Sequence, residues 1–272
     1  MRAKGLKSAF AWSAIEQFGE QAAHFALGII LARLLSPAEF GLTGMLAVFF
    51  AIATAFTQAG LGSAIIQRER LSDDDLSSCF YLNIAVGALF AGLLCLISPW
   101  VAAFYATPVL APMLCVLSLQ VVFGSFRIVQ DALRTRDLDF KTLAAVNWTA
   151  TIVSGTVGVT MAWRGFGVWS LVAQTVLRVF VGTVVLWALR PWRPRGRFRW
   201  SSIGSLWPFS SRLLAAGLLD AIFKNVYSVI IGKVYNAGDL GLYARAYGFA
   251  TPPSHTLTLV TGRVAFPYFS RM

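Results

Sequence analysis

Glu16, Glu20 and His24 recur at intervals of four residues in an otherwise apolar segment near the amino terminus. On a helix this spacing stacks the three side chains along one face, where two carboxylates and an imidazole can share protons, hold a cation or exchange hydrogen bonds. If the segment crosses a bilayer, each ionised side chain costs about 2.5–3.5 kcal/mol even on a lenient insertion scale. We therefore expect the stripe to face a water-filled cavity or a partner of opposite charge.

A second set of charged residues lies in a later apolar segment. Asp220 and Lys224 are four residues apart and can pair with each other, and Arg212 precedes Asp220 by about two turns. Arg178 adds a cation in another apolar segment. With the first set, these residues predict a hydrophilic cavity between helical units. The alternatives are internal ion pairs that only fix helix packing and, for Arg178, a charge that snorkels from the end of a span.

Three further polar residues lie inside apolar segments. Arg127 and Asp131 are near a segment end, and Asn147 is in the next segment. They could add polar side chains to the lining of the cavity. For Arg127 and Asp131 the alternative is that the charged ends of their side chains snorkel to the membrane interface.

No pattern in the chain predicts catalysis. It has no glycine-rich phosphate loop, no His/Cys set with metal-ligand spacing and no nucleophile elbow, and the pattern indicates neither a cofactor nor a metal. Cys79, Cys95 and Cys115 lie in or beside apolar segments and are expected to be small core residues. The protein is therefore not expected to be an enzyme.

The composition is typical of a membrane protein. Hydrophobic residues make up 57% of the chain and charged residues 13%, against about a quarter in soluble domains, and the mean hydropathy is +0.67. The apolar residues form long blocks, and about 20 such residues in a helix cross the hydrocarbon core. We expect an all-α polytopic membrane protein of about eight transmembrane helices, with Pro112 interrupting the fourth. The blocks are 9–32, 40–66, 78–104, 109–133, 142–163, 167–189, 206–232 and 241–266.

Capping residues predict where three of these helices begin. Ser36-Pro37-Ala38-Glu39 is typical of the start of the second helix, and Asn236–Asp239 of the eighth. Ser72, followed by Asp73, Asp74 and Asp75, is typical of the start of the third helix. The three aspartates point in different directions on a helix, which favours a helix start over a metal cluster.

The formal net charge of +11 is concentrated in alternate connections between the apolar blocks. By the positive-inside rule these connections and both termini are cytoplasmic. The densest run of cations is Arg190–Trp200. It indicates that this connection is cytoplasmic, and it favours a contact for anionic lipid over a nucleic-acid site.

An internal repeat divides the chain. Ile29–Leu42 (IILARLLSPAEFGL) returns as Val229–Leu242 (VIIGKVYNAGDLGL) at an offset of 200 residues, with charged positions in register. Six spans separate the copies, so the units should be related by an axis along the membrane normal. We expect a six-helix unit at 1–190, a basic linker at 191–201 and two helices of a second unit at 202–272. The chain thus resembles one complete unit and the start of another, as in a truncated gene product, a split gene or a fragment.

Several segments, in this order and spacing, carry a family resemblance. They are Leu31–Gly41 (LARLLSPAEFG), Gly60–Arg68 (GLGSAIIQR), Leu133–Phe140 (LRTRDLDF), Gly165–Val172 (GFGVWSLV), Ile231–Lys233 (IGK), Leu240–Ala246 (LGLYARA) and Phe266–Pro267 (FP). With them the chain resembles flippases of the multidrug/oligosaccharidyl-lipid/polysaccharide exporter superfamily, in particular the polysaccharide transporters that include the colanic-acid exporters. The resemblance implies two six-helix lobes in a V that opens alternately inward and outward. Members usually have twelve or more helices.

The resemblance also implies a function. A polyprenyl-diphosphate-linked oligosaccharide would be flipped across the bacterial inner membrane for exopolysaccharide, capsule or lipopolysaccharide synthesis, alongside a polysaccharide polymerase and glycosyltransferases. The residue roles for this task follow from charge and not from a family motif. The cations Arg178, Arg212 and Lys224 would attract the diphosphate, and the acids Glu16, Glu20 and Asp220 would bind a coupling ion or hydrogen-bond sugar hydroxyls. The alternatives are a drug or cation antiporter of the same superfamily, a nonfunctional truncated flippase, and a membrane-embedded polymerase or glycosyltransferase.

Overall fold

The computed structural model describes residues 3–58, 61–68, 71–189 and 192–250. This part of the chain is helical, and it contains no strand. The helices are α1 (Ala3–Leu34), α2 (Pro37–Gln58), α3 (Leu61–Gln67), α4 (Asp73–Phe104), α5 (Leu110–Ser125), α6 (Ile128–Arg136), α7 (Phe140–Trp163), α8 (Val168–Ala188), α9 (Trp200–Val234) and α10 (Ala237–Ala250).

The expected all-α, multi-pass membrane architecture is confirmed. Within the described ranges five helical regions are long and apolar enough to cross a membrane, and a sixth does so if the bent pair α5–α6 is one span. The five are Pro37–Gln67, Asp73–Phe104, Phe140–Trp163, Val168–Ala188 and Ser210–Val234. The expected first span at 9–32, which α1 covers, is not among these five, and the expected span at 241–266 lies mostly outside the described residues. The count of eight and the division at 190 and 202 therefore stay predictions.

The predicted helix starts coincide with observed capping bonds. At α2 the backbone N–H of Ser36 donates to the Glu39 carboxylate over 2.6 Å, and at α10 the Asp239 N–H donates to the Asn236 side chain over 2.9 Å. Ser72 and Asp75 form a capping box at α4. Short polar side chains therefore fix the first turns, as expected from their sequence positions.

The break in the fourth span differs from the expectation. Pro112 lies in the first turn of α5, where its missing N–H disrupts no helical bond, and the chain instead bends by 42° between α5 and α6. Two α8 side chains accompany the bend: the Thr183 hydroxyl donates to the Phe123 carbonyl over 3.0 Å, and the Trp187 indole N–H donates to the Phe126 carbonyl over 3.1 Å. The bend is thus stabilised by a neighbouring helix.

Helix pairs arrange the candidate residues. α1 packs along α7 and α7 along α8, whereas α2 packs against both α9 and α10. A large core cluster, including Met45, Leu114 and Leu240, joins α2, α4, α5, α8 and α10. Another cluster around Phe80 and Val129 joins α3, α4 and α6 to the start of α9. The two helices with polar stripes, α1 and α9, are therefore held by different neighbours.

Candidate functional site

Glu20 on α1 is the best-connected charged residue of the predicted cavity. Its carboxylate accepts a hydrogen bond from the guanidinium of Arg178 on α8, and its Oε1 lies 3.8 Å from Nε2 of His24. The Glu20 side chain is 16% exposed and the Arg178 side chain 39% exposed. The carboxylate is thus mostly withdrawn from solvent, while the cation retains an accessible surface that could meet an anion.

Two close helix contacts position this pair. A Cβ atom on Gly19 would overlap the Trp148 ring of α7, so α1 approaches α7 closely next to Glu20. A Cβ atom on Gly158 of α7 would lie 2.9 Å from Cβ of Gln174, one turn before Arg178. Because small residues let helices approach closely in membranes, the glycines bring α1 and α8 near enough for the ion pair.

Asp220 and Lys224 form the predicted pair on α9. Lys224 Nζ lies 2.8 Å from Asp220 Oδ2. The Lys224 side chain is 48% exposed, and the Asp220 side chain is 59% exposed. Arg212 is exposed as well. A different side of α9 packs on α2, where Gly232 lies against Met45. The α9 charges therefore remain accessible.

The structure brings together some of the predicted residues and not others. Glu20, His24 and Arg178 form one group, and Asp220 with Lys224 forms a second. Across the part of the chain that the structure describes, no ion pair joins the two groups. The side chain of Glu16 lies outside the described residues. A shared cavity therefore stays a prediction.

Arg127, Asp131 and Asn147 form a network between α6 and α7. Arg127 Nε donates to Asp131 Oδ2 over 2.7 Å, and its Nη2 donates to Asn147 Oδ1 over 3.1 Å. A Cβ atom on Gly182 of α8 would lie 2.8 Å from Arg127 Nη1. The network joins α6 to α7 beside α8, which favours a packing role for these three residues.

The duplicated segments meet where α2 and α10 begin. A Cβ atom on Gly41 would overlap the Ala237 carbonyl, and one on Gly241 would overlap the Pro37 carbonyl. Gly41 and Gly241 are counterparts in the repeat, as are Pro37 and Ala237. Each copy therefore presents the same glycine to the same position of the other, as in a two-fold symmetric contact.

Lysine and aromatic residues join two connections at the same end of the helices. The Lys233 ammonium donates to the Phe104 carbonyl and lies 4.6 Å from the centroid of the Phe104 ring. Gly232 lies against the Tyr105 ring. The α9–α10 connection is thus fastened to the α4–α5 connection.

Arg245 on α10 is a contact residue that the sequence did not single out for a role. Its guanidinium carbon lies 3.5 Å from the centroid of the Phe40 ring on α2. A weak signal was present, since Arg245 belongs to the segment LGLYARA and is a cation in an apolar block.

Soft metal ligands are sparse in the described ranges. Cys79 is buried, Cys95 and Cys115 are half-buried, and all three are free thiols. Within the residues described, no group of three His, Cys, Asp or Glu side chains could hold a metal ion.

The family comparison and the comparison with individual proteins agree with each other. A family described as polysaccharide biosynthesis protein matches residues 30–272. The chain is 27% identical over 273 residues to the succinoglycan biosynthesis transport protein ExoT of Rhizobium meliloti (strain 1021), covering 100% of this chain and 55% of the relative. It is 26% identical to the lipopolysaccharide biosynthesis protein WzxC of Escherichia coli (strain K12), covering 89% and 50%, and 26% identical to the teichuronic acid biosynthesis protein TuaB of Bacillus subtilis (strain 168), covering 78% and 44%.

The chain spans about half the length of these curated relatives. No solved structure gives a significant match.

Proposed function

The chain belongs to the polysaccharide biosynthesis protein family, and from that membership we propose that it forms part of a flippase for lipid-linked polysaccharide precursors. The family match bears out the resemblance to polysaccharide transporters seen in the sequence. The substrate would be a polyprenyl-diphosphate-linked oligosaccharide, whose tail stays in lipid while its diphosphate and sugars cross the hydrocarbon region.

The observation that carries the proposal is the set of charged side chains inside apolar helices. Arg178 lies in the span Val168–Ala188, and Asp220 and Lys224 lie in the span Ser210–Val234. Each is partnered and each is still partly exposed. A polar passage explains this combination, because a charged side chain inside a span faces a partner or a water-filled cavity rather than lipid.

The residues fall into two chemical roles. Arg178, Arg212 and Lys224 present cationic donors for the diphosphate, and guanidinium groups bind phosphate oxygens through paired hydrogen bonds. Glu16, Glu20 and Asp220 present carboxylates for a coupling cation or for sugar hydroxyls, and His24 can exchange a proton with Glu20. Arg178 would leave Glu20 for the phosphate and return after release.

The contacts at one end of the helices support an assignment of the conformational state. The contacts of Gly41 with Ala237, of Lys233 with Phe104 and of Arg245 with Phe40 all lie at one end of the helices. The cation-poor connections are at that end, which the positive-inside rule assigns to the outside. We infer an inward-facing arrangement that is sealed toward the periplasm.

The same proposal covers location and partners. The protein would lie in the bacterial inner membrane with both termini in the cytoplasm, and it would act as a transporter and not as an enzyme. Its substrate would come from glycosyltransferases on the cytoplasmic side and pass to a polysaccharide polymerase on the other side.

Transport into inverted membrane vesicles tests the proposal. Vesicles containing the protein that carries this chain would receive lipid-linked repeat units, and flipping would protect the glycan from an impermeant glycosidase. We expect Glu20→Ala and Asp220→Ala to lose most protection at unchanged protein levels. Asp137→Ala, at an exposed carboxylate in a connection, is the matched control and should keep it. Full transport by both test variants would reject the site assignment, and absence of transport by the unaltered protein would reject the function.

A further inference from the structure

The linker between α8 and α9 alternates between buried and exposed side chains. Trp192, Pro194 and Gly196 are partly buried, whereas Arg193, Arg195 and Arg197 are exposed. Trp192 packs on the cluster around Phe80, at a ring-centroid distance of 5.8 Å. A period of two is typical of an extended segment lying flat on a surface. The linker therefore presents a row of arginines on its outer side.

Backbone hydrogen bonds fix this segment to the first turns of α4. The Gly196 N–H donates to the Ser77 hydroxyl over 3.0 Å, and the Arg197 N–H donates to Asp74 Oδ1 over 2.8 Å. The Arg199 N–H donates to the Ser78 hydroxyl over 2.9 Å. A Cβ atom on Gly196 would overlap the Asp73 backbone, so only glycine permits this approach. These bonds hold residues 192–199 in place on α4, and we call this segment the linker strap.

The outer arginines differ from the last arginine of the strap. Arg199 pairs with Asp74 at 2.9 Å. For Arg193, Arg195 and Arg197 the described residues provide no acidic partner. Three guanidinium groups are therefore held in a row by a fixed backbone, and none of them has an acidic partner within the described ranges.

We propose that this row of arginines binds the headgroup phosphates of anionic lipids at the membrane surface. The strap connects the spans Val168–Ala188 and Ser210–Val234, so it lies close to the level at which headgroups begin. Neighbouring exposed arginines on one edge of an extended segment are about 6.5 Å apart, and each guanidinium can donate two hydrogen bonds to a phosphate. The bound lipids anchor the strap, and through it the joint between α4 and α9.

Membrane lipid is favoured over a soluble anion by this placement. A row of cations along a surface neutralises several separate phosphates, as the face of a lipid leaflet offers them, and each cation near such a surface adds to binding. A soluble diphosphate would call for converging side chains, whereas these three share one edge.

Lipid retention by the purified protein tests the proposal. Native mass spectrometry would compare bound phosphatidylglycerol with bound phosphatidylethanolamine for the protein that carries this chain, for Arg195→Gln/Arg197→Gln, and for Arg33→Gln/Arg164→Gln. The last pair removes the same charge from exposed arginines that are expected on the opposite side. We expect the linker variant to bind phosphatidylglycerol at least about tenfold more weakly, with phosphatidylethanolamine unchanged. The control pair should match the unaltered protein.

Two further results decide the proposal. Arg195→Lys/Arg197→Lys keeps the charge and should keep most of the phosphatidylglycerol binding, which a misfolded linker would not do. Equal phosphatidylglycerol binding by the unaltered protein and the glutamine variant would overturn the proposal. So would an equal loss in the control pair, or complete displacement of the lipid by millimolar inorganic pyrophosphate, since that would indicate a soluble-anion site. A failure of transport with intact lipid retention would reject the flippase function alone.

Discussion

The guanidinium of Arg245 lies over the Phe40 ring, 3.5 Å from its centroid, and joins α10 to α2. In the repeat, Phe40 corresponds to Leu240 and Arg245 corresponds to Met45. Met45 and Leu240 belong to the same core cluster, and both lie against Gly232. The charged contact of Phe40 with Arg245 thus corresponds to an apolar pair of positions, Leu240 and Met45, in the other copy of the repeat.

Replacing Arg245 by the residue at its counterpart position tests this contact. Arg245→Met keeps an aliphatic chain against α2 but removes the cation–π attraction, which is worth about 0.5–2 kcal/mol. We expect a modest loss of thermal stability in detergent and easier opening of the end that Gly41 and Gly241 close. Thermal unfolding followed by tryptophan fluorescence measures the first effect. Arg33→Met, at an exposed arginine, serves as control, and an equal change in both variants would show that the ring contact contributes nothing specific.

Adding one methyl group at Gly41 should separate α2 from α10. In Gly41→Ala the new Cβ overlaps the Ala237 carbonyl, so backbone must move, and overpacking of this kind costs about 1–3 kcal/mol. Gly92→Ala is the matched control, because a Cβ there meets no atom within 4 Å and alanine favours the helix. We expect a lower melting temperature for Gly41→Ala and an unchanged or higher one for Gly92→Ala. Equal melting temperatures would refute the close contact.

The sequence predicted the helices well because their signals are local. Long apolar blocks are sufficient for a spanning helix, and Ser36, Ser72 and Asn236 cap helices through neighbours three residues away. The bend after Ser125 does not follow from the sequence, because the side chains that accompany it, including Thr183, come from another helix. Local sequence patterns do not predict contacts between helices that are distant in the sequence.

The candidate site was predictable only in part for the same reason. The pairs at four-residue spacing, Glu20 with His24 and Asp220 with Lys224, follow from helix geometry alone. The bond between Glu20 and Arg178 depends on two helix crossings, so the sequence could identify both residues but not their pairing.

The Glu20–Arg178 pair should show strong energetic coupling. Removing Arg178 leaves the Glu20 carboxylate, which is mostly withdrawn from solvent, without its partner, whereas removing both charges leaves a neutral pair. We expect Glu20→Gln and Arg178→Gln each to lower stability, and the double variant to be more stable than the sum of the two losses predicts, with a coupling on the order of 1 kcal/mol. Chemical unfolding of the four proteins in the cycle provides the values. Strict additivity would mean that the two side chains do not act as a pair.

Trypsin can test the attachment of the linker strap to α4. Asp74 accepts the Arg197 N–H and pairs with the Arg199 guanidinium, so Asp74→Ala removes two attachments, each worth about 1 kcal/mol. Asp73→Ala is a close control, because this neighbouring carboxylate also lies in the first turn of α4 but makes no bond to the linker among the described contacts. Asp74→Ala should be cleaved after Arg195 and Arg197 several times faster than the unaltered protein, and Asp73→Ala at nearly the unaltered rate. Because the arginines themselves are retained in both variants, faster cleavage would report release of the backbone, and equal rates in the two variants would show that the strap is held elsewhere.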